Sequence, residues 1–190
     1  MNNKKSMWMT VVILVALLAG AGFLYQQLSG QIETKQIASS QNSEADATPQ
    51  YQLAPNFTVY DLDGNEVTLS DFTGKPIIMN FWASWCGPCK SEMSDFEKAY
   101  QAYGADIHFL MVNMTDGSRE TVETASEYID KQGYTFPVYY DVTYSAAEAY
   151  NVFGLPTTYF IDAEGYAIAY AQSAISLDTL QKGIDMITTK

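Results

Sequence analysis

Trp82-Ala83-Ser84-Trp85-Cys86-Gly87-Pro88-Cys89-Lys90 carries both cysteines of the 190-residue chain, three positions apart, directly after the apolar run Pro76–Trp82 (PIIMNFW). The run reads as a buried strand. The segment behind it reads as a helix to about Tyr103, with Met93, Phe96, Ala99, Tyr100 and Tyr103 on one face. The cysteines thus fall where a strand turns into a helix. Thiols one helical turn apart can close a small disulfide ring and reopen it by thiolate attack through a mixed disulfide. Cys86, at the helix start, faces the partial positive charge and unpaired N–H groups there, which favour thiolate over thiol. It is the expected nucleophile. Cys89, one turn further in, is expected to be more buried and to resolve the mixed disulfide by attacking the Cys86 sulfur. Pro88 suits a first helical turn, where a missing N–H costs little. The alternative is a purely structural bridge, but a four-residue ring stabilises by only roughly 2 kcal/mol, so redox chemistry explains the pair better.

Working outward, Phe57–Asp61 and Glu66–Leu69 read as strands around Asp63-Gly64, a dipeptide that favours tight hairpin turns. Ile107–Asn113 is a strand and Ser118–Gln132 a helix ended by Gly133. Pro137–Tyr140 is a short strand and Ser145–Asn151 a short helix. Thr158–Ile161 and Tyr166–Ala171 form a hairpin around Ala163-Glu164-Gly165, and Leu177–Thr188 is a closing helix. Alternating strands and helices predict an α/β fold with a mostly parallel central sheet flanked by helices.

Met7–Tyr25 is nineteen residues without a charge, about 28 Å as a helix and long enough to span a bilayer. Lys4 and Lys5 precede it, which predicts a cytoplasmic stub at residues 1–6, a signal anchor at 7–25 and everything later on the outer side. A cleaved signal peptide is the competing reading, because Ala19-Gly20-Ala21 offers small residues; the apolar run, however, continues through Phe23, Leu24 and Tyr25. Residues 26–50, rich in Gln, Ser, Ala and Asn, read as a flexible tether, and residues 51–190 as the folded domain. The formal net charge is −12. All of the excess lies in 51–190, where 19 acidic residues face 7 basic ones. Nucleic acid and anionic lipid are therefore poor partners. A single histidine, His108, leaves a Cys/His zinc site without enough ligands, so no metal is expected. In its apolar strand His108 reads as structural.

Trp85-Cys86-Gly87-Pro88-Cys89 resembles the thioredoxin active-site motif, and Gly154-Leu155-Pro156-Thr157-Thr158-Tyr159-Phe160-Ile161-Asp162 is similar to that family's cis-proline segment leading into a strand. Ala54-Pro55-Asn56-Phe57, Asp61-Leu62-Asp63-Gly64 and Leu69–Pro76 narrow the likeness to the TlpA/ResA group of membrane-anchored thiol-disulfide oxidoreductases, with an opening that also resembles AhpC/TSA redoxins. The resemblance covers roughly residues 52–190. It implies a thioredoxin-like fold with an N-terminal hairpin and a central strand-helix insertion at Ile107–Tyr140. It also implies a cis bond before Pro156, a redox disulfide between Cys86 and Cys89, and a substrate groove around Trp85, Gly87, Pro88, Leu155, Pro156 and Thr157.

One position departs from thioredoxin. Asn80 stands where thioredoxin has a buried aspartate, whereas Glu92, three residues after Cys89, matches a carboxylate of ResA-like members and is the expected proton partner of Cys89. By the same resemblance the protein is a disulfide reductase of envelope proteins, such as apocytochrome c or methionine sulfoxide reductases. It needs no cofactor and takes electrons from a CcdA- or DsbD-type membrane donor. Three rivals remain: a thiol oxidase or isomerase, a peroxiredoxin-like peroxidase, and a non-enzymatic client-binding module. The peroxidase is disfavoured because the Pro-x-x-x-Thr-x-x-Cys context of a peroxidatic cysteine fits neither frame. Cys86 is preceded at those places by Met79 and Ala83, and Cys89 by Trp82 and Cys86.

Overall fold

The computed structural model describes residues 51–188. Eight strands form one sheet: β1 (Gln52–Leu53), β2 (Thr58–Tyr60), β3 (Glu66–Thr68), β4 (Ile77–Trp82), β5 (His108–Asn113), β6 (Val138–Tyr140), β7 (Thr157–Ile161) and β8 (Tyr166–Gln172), in the order β1-β8-β7-β4-β5-β6-β2-β3. The helices are α1 (Gly87–Tyr103), α2 (Val122–Gln132), α3 (Ser145–Ala149) and α4 (Leu177–Thr188), with a 3-10 turn at Leu69–Phe72. This is the thioredoxin-like α/β architecture. β4 is buried along its whole length, as a strand covered on both faces must be. Ile77, Met79 and Phe81 pack with Phe57, Val59, Leu110 and Val112 on one side. Ile78 and Trp82 pack with Met93, Phe96, Ile184 and both cysteines on the other.

The sheet is mixed rather than mostly parallel: two of its seven pairings, β4–β5 and β5–β6, are parallel. Those two pairs are joined through α1 and α2, helices long enough to carry the chain back across the sheet. The α3 connection is not. Its five residues of helix advance only about 7.5 Å, less than a six-residue strand, and β7 starts at the end of the sheet where β6 stops and runs antiparallel to β4, with Thr157 opposite Phe81. That reversal brings Pro156 to the sheet end from which the Ala83–Cys86 loop leaves.

α2 starts at Val122, not at Ser118. The Asp116 carboxylate accepts from the N–H groups of Ser118 and Glu120, and Gly117 takes φ +71°, so 116–120 is a turn. Thr121 then caps the helix by accepting from the Thr124 N–H at 3.2 Å. Gly133 ends it in the left-handed region at φ +71°, as its sequence predicts. Among the described residues no helix is long and apolar enough to cross a membrane; the expected anchor at 7–25 and tether at 26–50 lie outside them.

Candidate active site

Cys86 is the N-cap of α1, in extended backbone, with Gly87 and Pro88 filling the first helical positions. Cys86 and Cys89 are joined in a disulfide, Cα to Cα 5.3 Å. The Cys86 Sγ accepts from the Cys89 N–H at 3.2 Å. That donor, with the helix end behind it, stabilises negative charge on Cys86 once the ring is open. Cys86 keeps 4% of its surface and Cys89 none. The order of burial is the expected one: what surface the pair keeps belongs to Cys86. Trp85 stands beside it, 41% exposed, whereas Trp82 is fully buried and serves packing.

The Leu155–Pro156 peptide bond is cis. Pro156 and Thr157 are buried, Leu155 is half-buried and Gly154 exposed. The Thr157 hydroxyl donates to the Gly154 carbonyl at 2.8 Å, and the Ser173 N–H donates to the Pro156 carbonyl at 3.0 Å. Those bonds hold the loop from both sides. Leu155 packs against the cluster that contains both cysteines, so the two motifs, about seventy residues apart in the chain, share one end of the sheet.

Glu92 is 2% exposed, which excludes a solvated helix-surface carboxylate. It projects into the core one turn beyond Cys89. Its Oε1 accepts from Asn80 Nδ2 at 2.9 Å and its Oε2 from the Ile175 N–H at 2.8 Å. Burial pushes its carboxyl up to about 7, against the pull of those two hydrogen bonds, with repulsion from Asp95 adding to the rise. Asn80 also donates to the Thr158 hydroxyl at 2.9 Å, while its own Oδ1 is buried with no partner among the described residues. The amide can turn over. When Glu92 takes a proton, the fixed Ile175 N–H still needs an acceptor, so the proton belongs on Oε1, where a turned Asn80 offers Oδ1. A carboxylate near neutrality beside a buried cysteine can accept and return a thiol proton at ordinary pH.

The sequence reading missed the segment after β5. Glu120 is fully buried. Its carboxylate accepts from the Ser84 N–H at 2.7 Å, the Ser84 hydroxyl at 2.6 Å and Asn113 Nδ2 at 2.6 Å. It therefore clamps the loop leading into Cys86 to the end of β5. Arg119, its neighbour, lies over the Trp85 ring with its guanidinium carbon 3.8 Å from the ring centre. No local sequence signal marks them: the two loops lie side by side because Trp82 is in register with Asn113 at the carboxyl ends of two parallel strands, which only the structure shows. Removing the clamp by Glu120→Ala leaves the Ser84 and Asn113 donors buried without acceptors and is expected to cost about 3 kcal/mol. Urea unfolding measures it; a loss below about 1 kcal/mol would mean that water replaces the carboxylate.

His108 lies at the start of β5, away from the disulfide, with its ring edge-to-face on Phe72 at 5.2 Å. Burial, and then the Lys75 charge, hold it below its ordinary pKa. It has the structural place expected of it. Among the described residues no cluster of three or more His, Cys, Asp or Glu side chains is arranged to hold a metal.

Residues 51–170 match the family model for the AhpC/TSA family. The thiol-disulfide oxidoreductase ResA of Geobacillus kaustophilus is 29% identical over 188 residues, 98% of this chain and 99% of that protein. The ResA of Oceanobacillus iheyensis is 35% identical over 136 residues, 72% of this chain and 68% of that protein. Among solved structures, a thiol:disulfide interchange protein of the thioredoxin family from Chlorobium tepidum superposes with a TM-score of 0.64 at 27% identity, covering 75% of this chain and 99% of that one.

Proposed function

Since this chain belongs to the AhpC/TSA family and is a protein thiol-disulfide oxidoreductase, we propose that it works as a disulfide reductase on the outer side of a membrane. The observation that supports the reading is the Cys86–Cys89 pair at the start of α1, with Gly87 and Pro88 between its cysteines and the Cys86 sulfur facing the Cys89 N–H; the buried Glu92 one turn on provides for proton exchange with Cys89. In the reductive cycle the Cys86 thiolate attacks a client disulfide, forms a mixed disulfide and releases one client thiolate. Cys89 gives its proton to the Glu92 carboxylate and attacks the Cys86 sulfur. The ring closes, and the second client sulfur leaves as a thiolate that takes up a proton. Two electrons pass to the client. Trp85, Gly87, Pro88, Leu155, Pro156 and Thr157 form the groove in which an extended client strand lies. The Leu155 backbone N–H and C=O, which no hydrogen bond engages among the described residues, support pairing with that strand.

Residues 7–25 anchor the domain and residues 26–50 let it reach its clients. A membrane thiol protein of the CcdA or DsbD type returns the dithiol to its reduced form, since NADPH lies on the other side. The clients are oxidised envelope proteins, apocytochrome c and methionine sulfoxide reductases among them. The direction is tested by equilibrating the Cys86–Cys89 pair of the full chain with glutathione or dithiothreitol buffers. A potential at or below about −250 mV is expected; one above about −150 mV would make the protein an oxidase or isomerase instead.

A further inference from the structure

Arg119 is the single arginine of the chain, and it stands on the tryptophan next to the attacking cysteine. A guanidinium laid against an aromatic face keeps its in-plane N–H fork open, and that fork matches a carboxylate bidentately. Arg119 is exposed. It joins neither of the ion pairs Lys98–Asp95 and Lys182–Asp178. Asp116, the acidic group facing it, has its Oδ1 committed to the N–H groups of Ser118 and Glu120. Glu120, immediately after it, holds this turn to Ser84, so the position of Arg119 over Trp85 is set by the buried carboxylate and not by the long side chain alone. Lys90 is exposed in the first turn of α1.

We propose that Arg119 is a specificity-determining residue: stacked on Trp85, it receives an aspartate or glutamate side chain that lies beside the cysteine of a protein client. The proposal rests on the oxidoreductase reading and adds the chemistry of the client. Elsewhere the domain repels acidic protein surfaces, so a client carboxylate is favoured only when it sits next to the disulfide to be attacked.

The test uses the full chain, reduced, with three synthetic peptide disulfides identical except for Glu, Gln or Lys next to the cysteine. The readout is the second-order rate constant of exchange at low salt. The Glu peptide is expected to react about threefold to tenfold faster than the Lys peptide. The ratio should shrink in molar salt as the charges are screened, fall to about one in Arg119→Gln, and invert in Arg119→Glu. Each ratio is internal to one variant, so a uniform loss of rate from a disturbed Trp85 cancels. An equal Glu-to-Lys ratio in the wild type, Arg119→Gln and Arg119→Glu overturns the proposal. If no peptide exchanges with the reduced protein at all, the oxidoreductase reading fails as well, and the two failures are thereby told apart.

Discussion

Cys86→Ser is expected to abolish thiol-disulfide exchange, lowering the rate by on the order of a thousandfold or more. A hydroxyl at the N-cap still accepts the Cys89 N–H, so the fold should persist. The remaining thiol cannot substitute, because Cys89 has no exposed surface and lacks the helix-end position that favours thiolate. Cys89→Ser should behave differently. Cys86 still attacks, but nothing resolves the adduct, and a covalent mixed disulfide with the client accumulates. Intact mass or a non-reducing gel detects it. A client-binding module that does not need its cysteines would keep its activity in Cys86→Ser and give no adduct in Cys89→Ser, and either result would sink the redox cycle. A peroxidase would instead consume hydrogen peroxide with Cys86 alone.

Glu92→Gln should change the pH dependence of both stability and turnover. In the folded disulfide form the Glu92 carboxyl lies near 7, against an ordinary 4.5. Between those values the folded protein holds a proton that the unfolded chain has released, so stability is highest below the ordinary value and falls as pH rises through the window. The shift corresponds to about 3 kcal/mol. In Glu92→Gln that slope disappears, and above pH 7 the variant is expected to be the more stable protein. Its amide can keep both contacts: Oε1 accepts the Ile175 N–H, and Nε2 meets Asn80, whose unpartnered Oδ1 turns to accept it. Urea unfolding at pH 5 and pH 8 measures the difference.

Turnover should move the other way. With no carboxylate to take the Cys89 proton, the resolving step in Glu92→Gln is expected to slow by about a hundredfold at pH 7. The inflection near pH 7 should vanish, leaving only the thiol's own ionisation. A stopped-flow profile of mixed-disulfide decay from pH 5 to 9 reads this directly. An unchanged profile would reduce Glu92 to a buried structural acid.

The elements of the fold were legible where their signals are local. The apolar run Pro76–Trp82, the helix behind it and Gly133 at a helix end each depend on residues within a few positions. Strand direction was not. The reversal at β7 is set by where the chain re-enters the sheet after α3, beside β4, a pairing between residues about eighty apart. The start of α2 lies four residues later than expected because the Asp116 side chain captures the N–H groups of Ser118 and Glu120, a competition that capping rules applied to Ser118 do not contain. Glu92 was found through resemblance to ResA-like members, and its burial was not readable. Glu120 and Arg119 were missed, because a Glu and an Arg in a polar turn look like solvated charges until Ser84 and Trp85 are known to lie against them.

By itself the sequence determined the reactive pair and its order. Two cysteines with a proline between them at a strand-to-helix transition place the outer sulfur at the helix end whatever the rest of the molecule does, because that geometry is set within one turn. Tertiary structure alone decided the setting of the Glu92 carboxyl and of Trp85. The carboxyl of Glu92 is raised by burial and held by Asn80 and by the N–H of Ile175, 83 residues away, while the turn that lays Arg119 over Trp85 is fixed through Glu120 to Ser84, 36 residues off. Desolvation and hydrogen bonding act through space, and their magnitudes are defined only once distant segments have been brought together and water has been removed from between them.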